Sequence, residues 1–138
     1  MNKKVLLVDD SASTLMMEEM ILKQLTSYRC VTAMDGLDAV ALALTESPDL
    51  VLMDAVMPRM NGFEACQTMR RERTLSEIPI ILVTTSDEEE YIEAGFQSGC
   101  NDYITKPIDF RKLISMLRSY LEGEKSPVIR LGLQGGSV

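Results

Sequence analysis

A chain of 138 residues, 46% hydrophobic and 25% charged, has the profile of one ordinary globular domain that can bury a core without disulfides or structural metals. Its formal net charge of −7 opposes approach to phosphate backbones and anionic lipid, so neither nucleic acid nor a membrane is expected as a direct partner. The sequence has no histidine, which excludes serine triads, zinc-histidine sites and a self-carried phosphohistidine together.

Taken in order, the N-terminal MNKKVLLVDD carries an apolar run, Val5 to Val8, that stops at two aspartates. It is too short for a signal sequence and reads as a first strand. Ser11 or Ser13 then caps a helix in which Leu15, Met17, Met20, Ile21 and Leu25 recur at three to four residues. Cys30 to Ala33 reads as a second strand, and Leu37, Val40, Ala41 and Leu44 as a second helix. Leu50 to Met53 is continuously apolar, as in strands covered on both faces, and it ends on Asp54. Asn61 caps a third helix with Phe63, Cys66 and Met69. A fourth strand, Ile80 to Val83, precedes a helix capped by Asp87 that carries Ile92 and Phe96. The acids Asp87 to Glu90 suit its first turn through the helix dipole. Tyr103 to Thr105 is the fifth strand, and Asp109 caps a fifth helix bearing Leu113, Met116, Leu117, Tyr120 and Leu121.

Strand and helix thus alternate five times, which specifies an α/β fold: a doubly wound, mostly parallel sheet with right-handed crossovers and helices on both faces. Residues 1–122 are expected to form the domain. The remainder, GEKSPVIRLGLQGGSV over 123–138, is a tail or the start of a linker. Cys30, Cys66 and Cys100 lack C-x-x-C spacing and read as small core residues in a reducing cytosol, and the ten methionines as adaptable core filling. With no candidate membrane span, the expected location is cytoplasmic.

In an open parallel sheet, ligands bind beyond the carboxyl ends of the strands. Strand one is followed there by Asp9 and Asp10, strand three by Asp54, strand four by Thr84 and Thr85, and strand five by Lys106 with Pro107. Three carboxylates at one edge repel unless a cation neutralises them. An all-oxygen site without His or Cys favours Mg²⁺ or Mn²⁺ over zinc. A metal, a lysine and a hydroxyl around a carboxylate are equipment for phosphoryl transfer, with Asp54 as nucleophile and Lys106 on the phosphoryl oxygens.

The pair Asp9-Asp10, MDAVMPRMNG around Asp54, LVTTS with Thr84, and DYITKP with Lys106 together resemble the receiver domain of two-component response regulators, from about Lys3 to Leu121. The resemblance implies a flavodoxin-like five-stranded sheet of order 2-1-3-4-5. It also implies that Asp54 accepts a phosphoryl group from a histidine kinase or phosphotransfer protein. Asp10, Asp54 and the Val56 backbone carbonyl would ligate Mg²⁺, with Asp9 held through water. Thr84 would turn its hydroxyl to the phosphoryl group and Tyr103 would swing inward behind it. The face of helix four, strand five and helix five would then change its affinity for a downstream protein, in a monomer or a weak phosphorylation-dependent dimer.

Within that pattern Val56 and Ser86 stand at positions that set how fast water removes the phosphoryl group. Val56 offers nothing to orient water, so autodephosphorylation is expected to be slow to moderate. Thr85 stands where alanine is frequent in the family and narrows access. Met116 replaces the arginine of a dimer salt bridge used by DNA-binding relatives, which counts against that dimer. The domain is thus read as a binding module that modifies itself, without metabolic turnover. Alternatives are the receiver portion of a longer multidomain regulator and a flavodoxin-like flavin carrier. In the latter, Ser11, Ser13 and Thr14 would serve as a phosphate loop, although Asp9 and Asp10 would repel the flavin phosphate. A metabolite-cleaving aspartyl-phosphate hydrolase lacks an acid two residues beyond Asp54.

Overall fold

The computed structural model describes residues 2–86 and 88–123. Five strands, β1 (Lys4–Val8), β2 (Arg29–Ala33), β3 (Leu50–Asp54), β4 (Ile80–Thr84) and β5 (Asp102–Thr105), alternate with five helices. These are α1 (Ala12–Leu25), α2 (Gly36–Glu46), α3 (Gly62–Arg71), α4 (Glu89–Gln97) and α5 (Phe110–Glu122). A 3₁₀ turn, Arg73–Leu75, follows α3. The strands are all parallel in the order β2-β1-β3-β4-β5, the flavodoxin-like receiver arrangement.

The chain divides into two compact units, Met1–Ile108 and Asp109–Val138. The first holds the sheet and α1 to α4. β3 and β4 are buried along their whole length, as the unbroken apolar runs require of strands covered on both faces. One face of the sheet presents Leu6, Val8, Val51, Met53, Ile80 and Leu82 to Ala39 and Ala43 of α2 and to Ala65, Cys66 and Met69 of α3. The first crossover runs toward β2 and the second back toward β3. A constant right hand therefore puts α1 and α2 on opposite faces, and α1 rests on β1 and β2.

The caps follow the expected chemistry. Ser11, not Ser13, accepts from Thr14 N and caps α1, and Asn61 forms a reciprocal capping box with Glu64. In the second unit Asp109 accepts from Arg111 N and Lys112 N, and α5 buries Leu113, Ile114, Met116, Leu117 and Leu121 along one stripe. The expected cap Asp87 and residues 124–138 of the tail lie outside the described residues. α4 instead has Glu88 at its N-cap, with Glu89 and Glu90 in the first turn.

The inward faces of α1 and α2 differ from the expected ones. α1 buries Leu15, Glu18 and Leu22 and leaves Met17, Met20 and Leu25 exposed. Apolar residues surround this helix, so their spacing does not single out a face. α2 buries Gly36, Ala39 and Ala43 while Leu37 and Leu44 face outward. Small residues let it lie close to its neighbours. The methionines divide: Met53, Met57, Met69 and Met116 are buried, whereas Met16, Met17, Met20 and Met34 are exposed. Cys66 and Cys100 are buried and Cys30 is half-buried, all as free thiols.

Candidate functional site

Strand register builds the site. Val8 pairs with Met53, and Asp54 with Val83. Asp9 therefore emerges beside Asp54, and Thr84 one step beyond it. Thr84 pairs with Thr105, which delivers Lys106 to the same edge. Carboxylate oxygens of Asp9, Asp10 and Asp54 lie within 4.8 Å of one another. Lys106 Nζ reaches Asp54 Oδ2 at 2.9 Å and Asp9 Oδ2 at 3.3 Å.

Asp9 and Asp54 are held from behind. Ser11 N donates to Asp9 Oδ1 at 2.9 Å, and Val56 N donates to Asp54 Oδ1 at 3.1 Å. Asp9 is 2% and Asp54 7% exposed, whereas Asp10 stands in solvent. Burial raises the Asp9 pKa from its ordinary value; the Ser11 amide and Lys106 oppose this, and Asp54 adds to it. Burial alone would depress the Lys106 ammonium, but its hydrogen bond to Asp54 and the charges of Asp54 and Asp9 raise its pKa instead.

Oxygens of three carboxylates gathered within 4.8 Å could converge on one small cation. The donor set, all oxygen with one solvent-facing carboxylate, suits a hard cation that retains water.

The β4 edge is arranged differently. Thr84 is buried, but its hydroxyl accepts from Ser86 N at 3.0 Å and lies 3.2 Å from Ser86 O. No bond joins it to Asp54 among the described residues. Tyr103 is half-buried, its ring edge-on to the exposed Phe96 at 6.1 Å. Behind Thr84 lies an apolar cavity of about 10 Å³ lined by Leu82, Tyr91, Gly95 and Tyr103 among others. Val56 is 62% exposed and Thr85 exposed, so both flank the mouth of the site. The residues expected from sequence thus separate into a joined set, Asp9, Asp10, Asp54 and Lys106, and a neighbouring set, Thr84, Ser86 and Tyr103.

Sequence reasoning missed Glu18. This α1 residue is 2% exposed, and its pKa is raised to about 7, first by burial and then by the charge of Asp9, with Lys106 opposing. Its spacing from Leu15 and Leu22 places it on their stripe, which was the available signal. Asp35, the N-cap of α2, was also missed, although Asp38 three residues later resembles a capping pattern.

Comparison with known proteins agrees with this architecture. Residues 5–118 match the response regulator receiver domain. The chain is 39% identical over 120 residues to protein PilH of Pseudomonas aeruginosa, covering 87% of this chain and 98% of that one. It is 36% identical to the alkaline phosphatase synthesis transcriptional regulatory protein PhoP of Bacillus subtilis, covering 88% of this chain but only 49% of that one. It therefore spans about half of PhoP and nearly all of PilH.

Among solved structures, chemotaxis response regulator CheY4 of Vibrio cholerae superposes with a TM-score of 0.82 at 32% identity, over 88% of this chain and all of that one. The receiver domain of sensor histidine kinase PA1611 from Pseudomonas aeruginosa has a TM-score of 0.81 at 30% identity, over 88% and 99%, and was solved with magnesium coordinated in its active site cleft. Among the described residues no helix is long and apolar enough to cross a membrane. With the sheet order, the acid edge and the family match in agreement, this chain belongs to the response regulator receiver domain family.

Proposed function

We propose that Asp54 accepts a phosphoryl group from the phosphohistidine of a histidine kinase or phosphotransfer protein. The observation that carries this reading is the Asp54 carboxylate, buried beside Asp9 and Asp10 and bonded to Lys106 at 2.9 Å. An Asp54 oxygen forms the new bond to phosphorus, the donor's P–N bond breaks, and the imidazole leaves and takes up a proton. Lys106 compensates charge on the phosphoryl oxygens. Asp10, Asp54 and the Val56 carbonyl would hold Mg²⁺, with Asp9 acting through water; Mn²⁺ suits the same oxygens. Bound there, the ion supplies the charge compensation that lets a phosphoryl group approach three carboxylates.

Once the group is on Asp54, the Thr84 hydroxyl leaves Ser86 to bond a phosphoryl oxygen, and Tyr103 moves inward. The surface of α4 and β5 then changes its affinity for a downstream protein, as a shift between two existing states. Hydrolysis returns Asp54 to its carboxylate. It is slow to moderate because Val56 cannot orient water and Thr85 narrows the approach.

Residues 1–122 constitute the receiver and 123–138 a tail or linker, in a cytoplasmic protein. The half-length match to PhoP favours, as a second reading, the receiver portion of a longer regulator. The flavin carrier gains no support, because Ser11 caps α1 and Asp9 accepts from the Ser11 amide where a phosphate loop would have to stand.

The test is intact mass after incubation with a small acyl-phosphate donor. One added phosphoryl group that requires Mg²⁺ and is absent in Asp54→Asn is expected. Labelling that persists in Asp54→Asn, or failure to label from both the acyl phosphate and a phosphorylated kinase, would overturn the proposal.

A further inference from the structure

The loop between β3 and α3 is fixed at both ends, and one of its anchors lies outside the acid edge. At its base Gly62 N donates to Ala55 O at 2.9 Å, and a side chain at Gly62 would overlap the Asp54 carbonyl oxygen and stand 2.9 Å from Ala55 Cα. At its tip Met60 O accepts from Gly36 N at 3.0 Å, so closely that a Cβ on Gly36 would stand 2.8 Å from Met60 Cβ. Between these anchors Arg59 has a left-handed φ of 66°. A residue with a Cβ is strained in that conformation. Its side chain shows what offsets the strain. Nε donates to Asp35 Oδ2 at 2.8 Å, and the guanidinium also meets Asp35 Oδ2 at 2.7 Å and Asp38 Oδ1 at 3.2 Å. Asp35 is 9% exposed and accepts from Asp38 N at 2.9 Å as the α2 cap, so its direction is set before Arg59 arrives.

We infer that Arg59 is a positioning residue: its fork onto Asp35 and Asp38 latches the loop to α2, and thereby fixes where Val56 presents its main chain beside Asp54. This rests on the reading of Val56 as a metal-ligating carbonyl. The latch sets affinity for a divalent cation without touching it. α2 thereby becomes an input to the acid edge.

Charge alone predicts the opposite sign, which makes the inference testable. Removing a cation from an already acidic region should tighten binding of Mg²⁺. Losing the support of a ligand typically weakens metal binding by tenfold or more. The experiment is calorimetric titration of the full chain with Mg²⁺, for wild type, Arg59→Gly and Arg59→Lys, with melting temperatures in EDTA. Glycine relieves the left-handed strain, so Arg59→Gly folds and is expected to keep its melting temperature or gain. Its Mg²⁺ affinity is expected to fall about tenfold. Lysine keeps the charge but loses the fork, and its affinity is expected to fall also. Unchanged or tighter binding in Arg59→Gly overturns the latch, as does wild-type affinity in Arg59→Lys. Failure of the wild type itself to bind Mg²⁺ would overturn the metal reading, a result distinct from either variant matching a wild type that binds.

Discussion

The two halves of the strand-end surface are built to opposite specifications. At the β1, β3 and β5 ends the groups are already joined: Lys106 bridges Asp54 and Asp9, and backbone amides hold both acids from behind. At the β4 end Thr84 is turned toward Ser86, with an apolar cavity behind it and Tyr103 along its wall. The first region already holds its cation against its carboxylates, whereas the hydroxyl of the second is bonded to Ser86 and away from Asp54. Under the proposed function, chemistry would belong to the fixed edge and readout to the movable one.

The comparison breaks most severely if the fixed edge is dislodged. In Gly62→Ala the new methyl meets the Asp54 carbonyl and Ala55 backbone. A loss of about 4 kcal/mol in urea unfolding is expected, the upper range for overpacking against rigid backbone. A loss under 1 kcal/mol would show the β3 end to be pliable.

Next in size is Glu18. Its folded pKa of about 7 exceeds the ordinary 4.5, so the native state binds this proton more tightly than the unfolded chain does. Stability tied to it is complete below about pH 4.5 and is lost as pH rises through about 7. The full component is about 3 kcal/mol. Glu18→Gln is expected to be the more stable protein at pH 8 in EDTA, by up to that amount, and to lack the fall between pH 5 and 8. Parallel stability profiles for the two proteins would contradict this.

Lys106→Met leaves Asp9 and Asp54 facing each other. It should cost about 2 kcal/mol in EDTA, below the usual loss for a broken buried pair because the lysine is 28% exposed. Addition of Mg²⁺ should recover part of it, as read from urea midpoints. Thr84→Ala should change stability by less than about 1 kcal/mol and leave phosphoryl uptake intact, while weakening the phosphorylation-dependent gain in partner binding. If Thr84→Ala takes up no phosphoryl group, the division between the two edges fails.

The fixed edge was far more legible in the sequence than the movable one. Unbroken runs such as Leu50 to Met53 suit buried strands when they alternate with helical periods, and the polar residue that ends such a strand lies at the sheet's carboxyl edge. Asp9, Asp54 and Lys106 were therefore located by strand pattern alone. The hydroxyl direction of Thr84 depends on a two-residue turn with Ser86, to which periodicity is blind. Glu18 was obscured because apolar residues surround α1, which hides the face that packs. Arg59 was invisible for a different reason: its φ and its partners on α2, 21 and 24 residues away, arise only from tertiary placement.

The most direct test is an amide NMR titration in two steps, Mg²⁺ first and then an acyl-phosphate donor. Mg²⁺ alone is expected to shift Asp10, Ser11 and Val56 while Ser86 stays in place. The donor should then displace the Ser86 amide as Thr84 releases it. A Ser86 signal that moves with Mg²⁺ alone, or stays still after Asp54 is phosphorylated, would contradict a fixed chemical edge coupled to a movable readout.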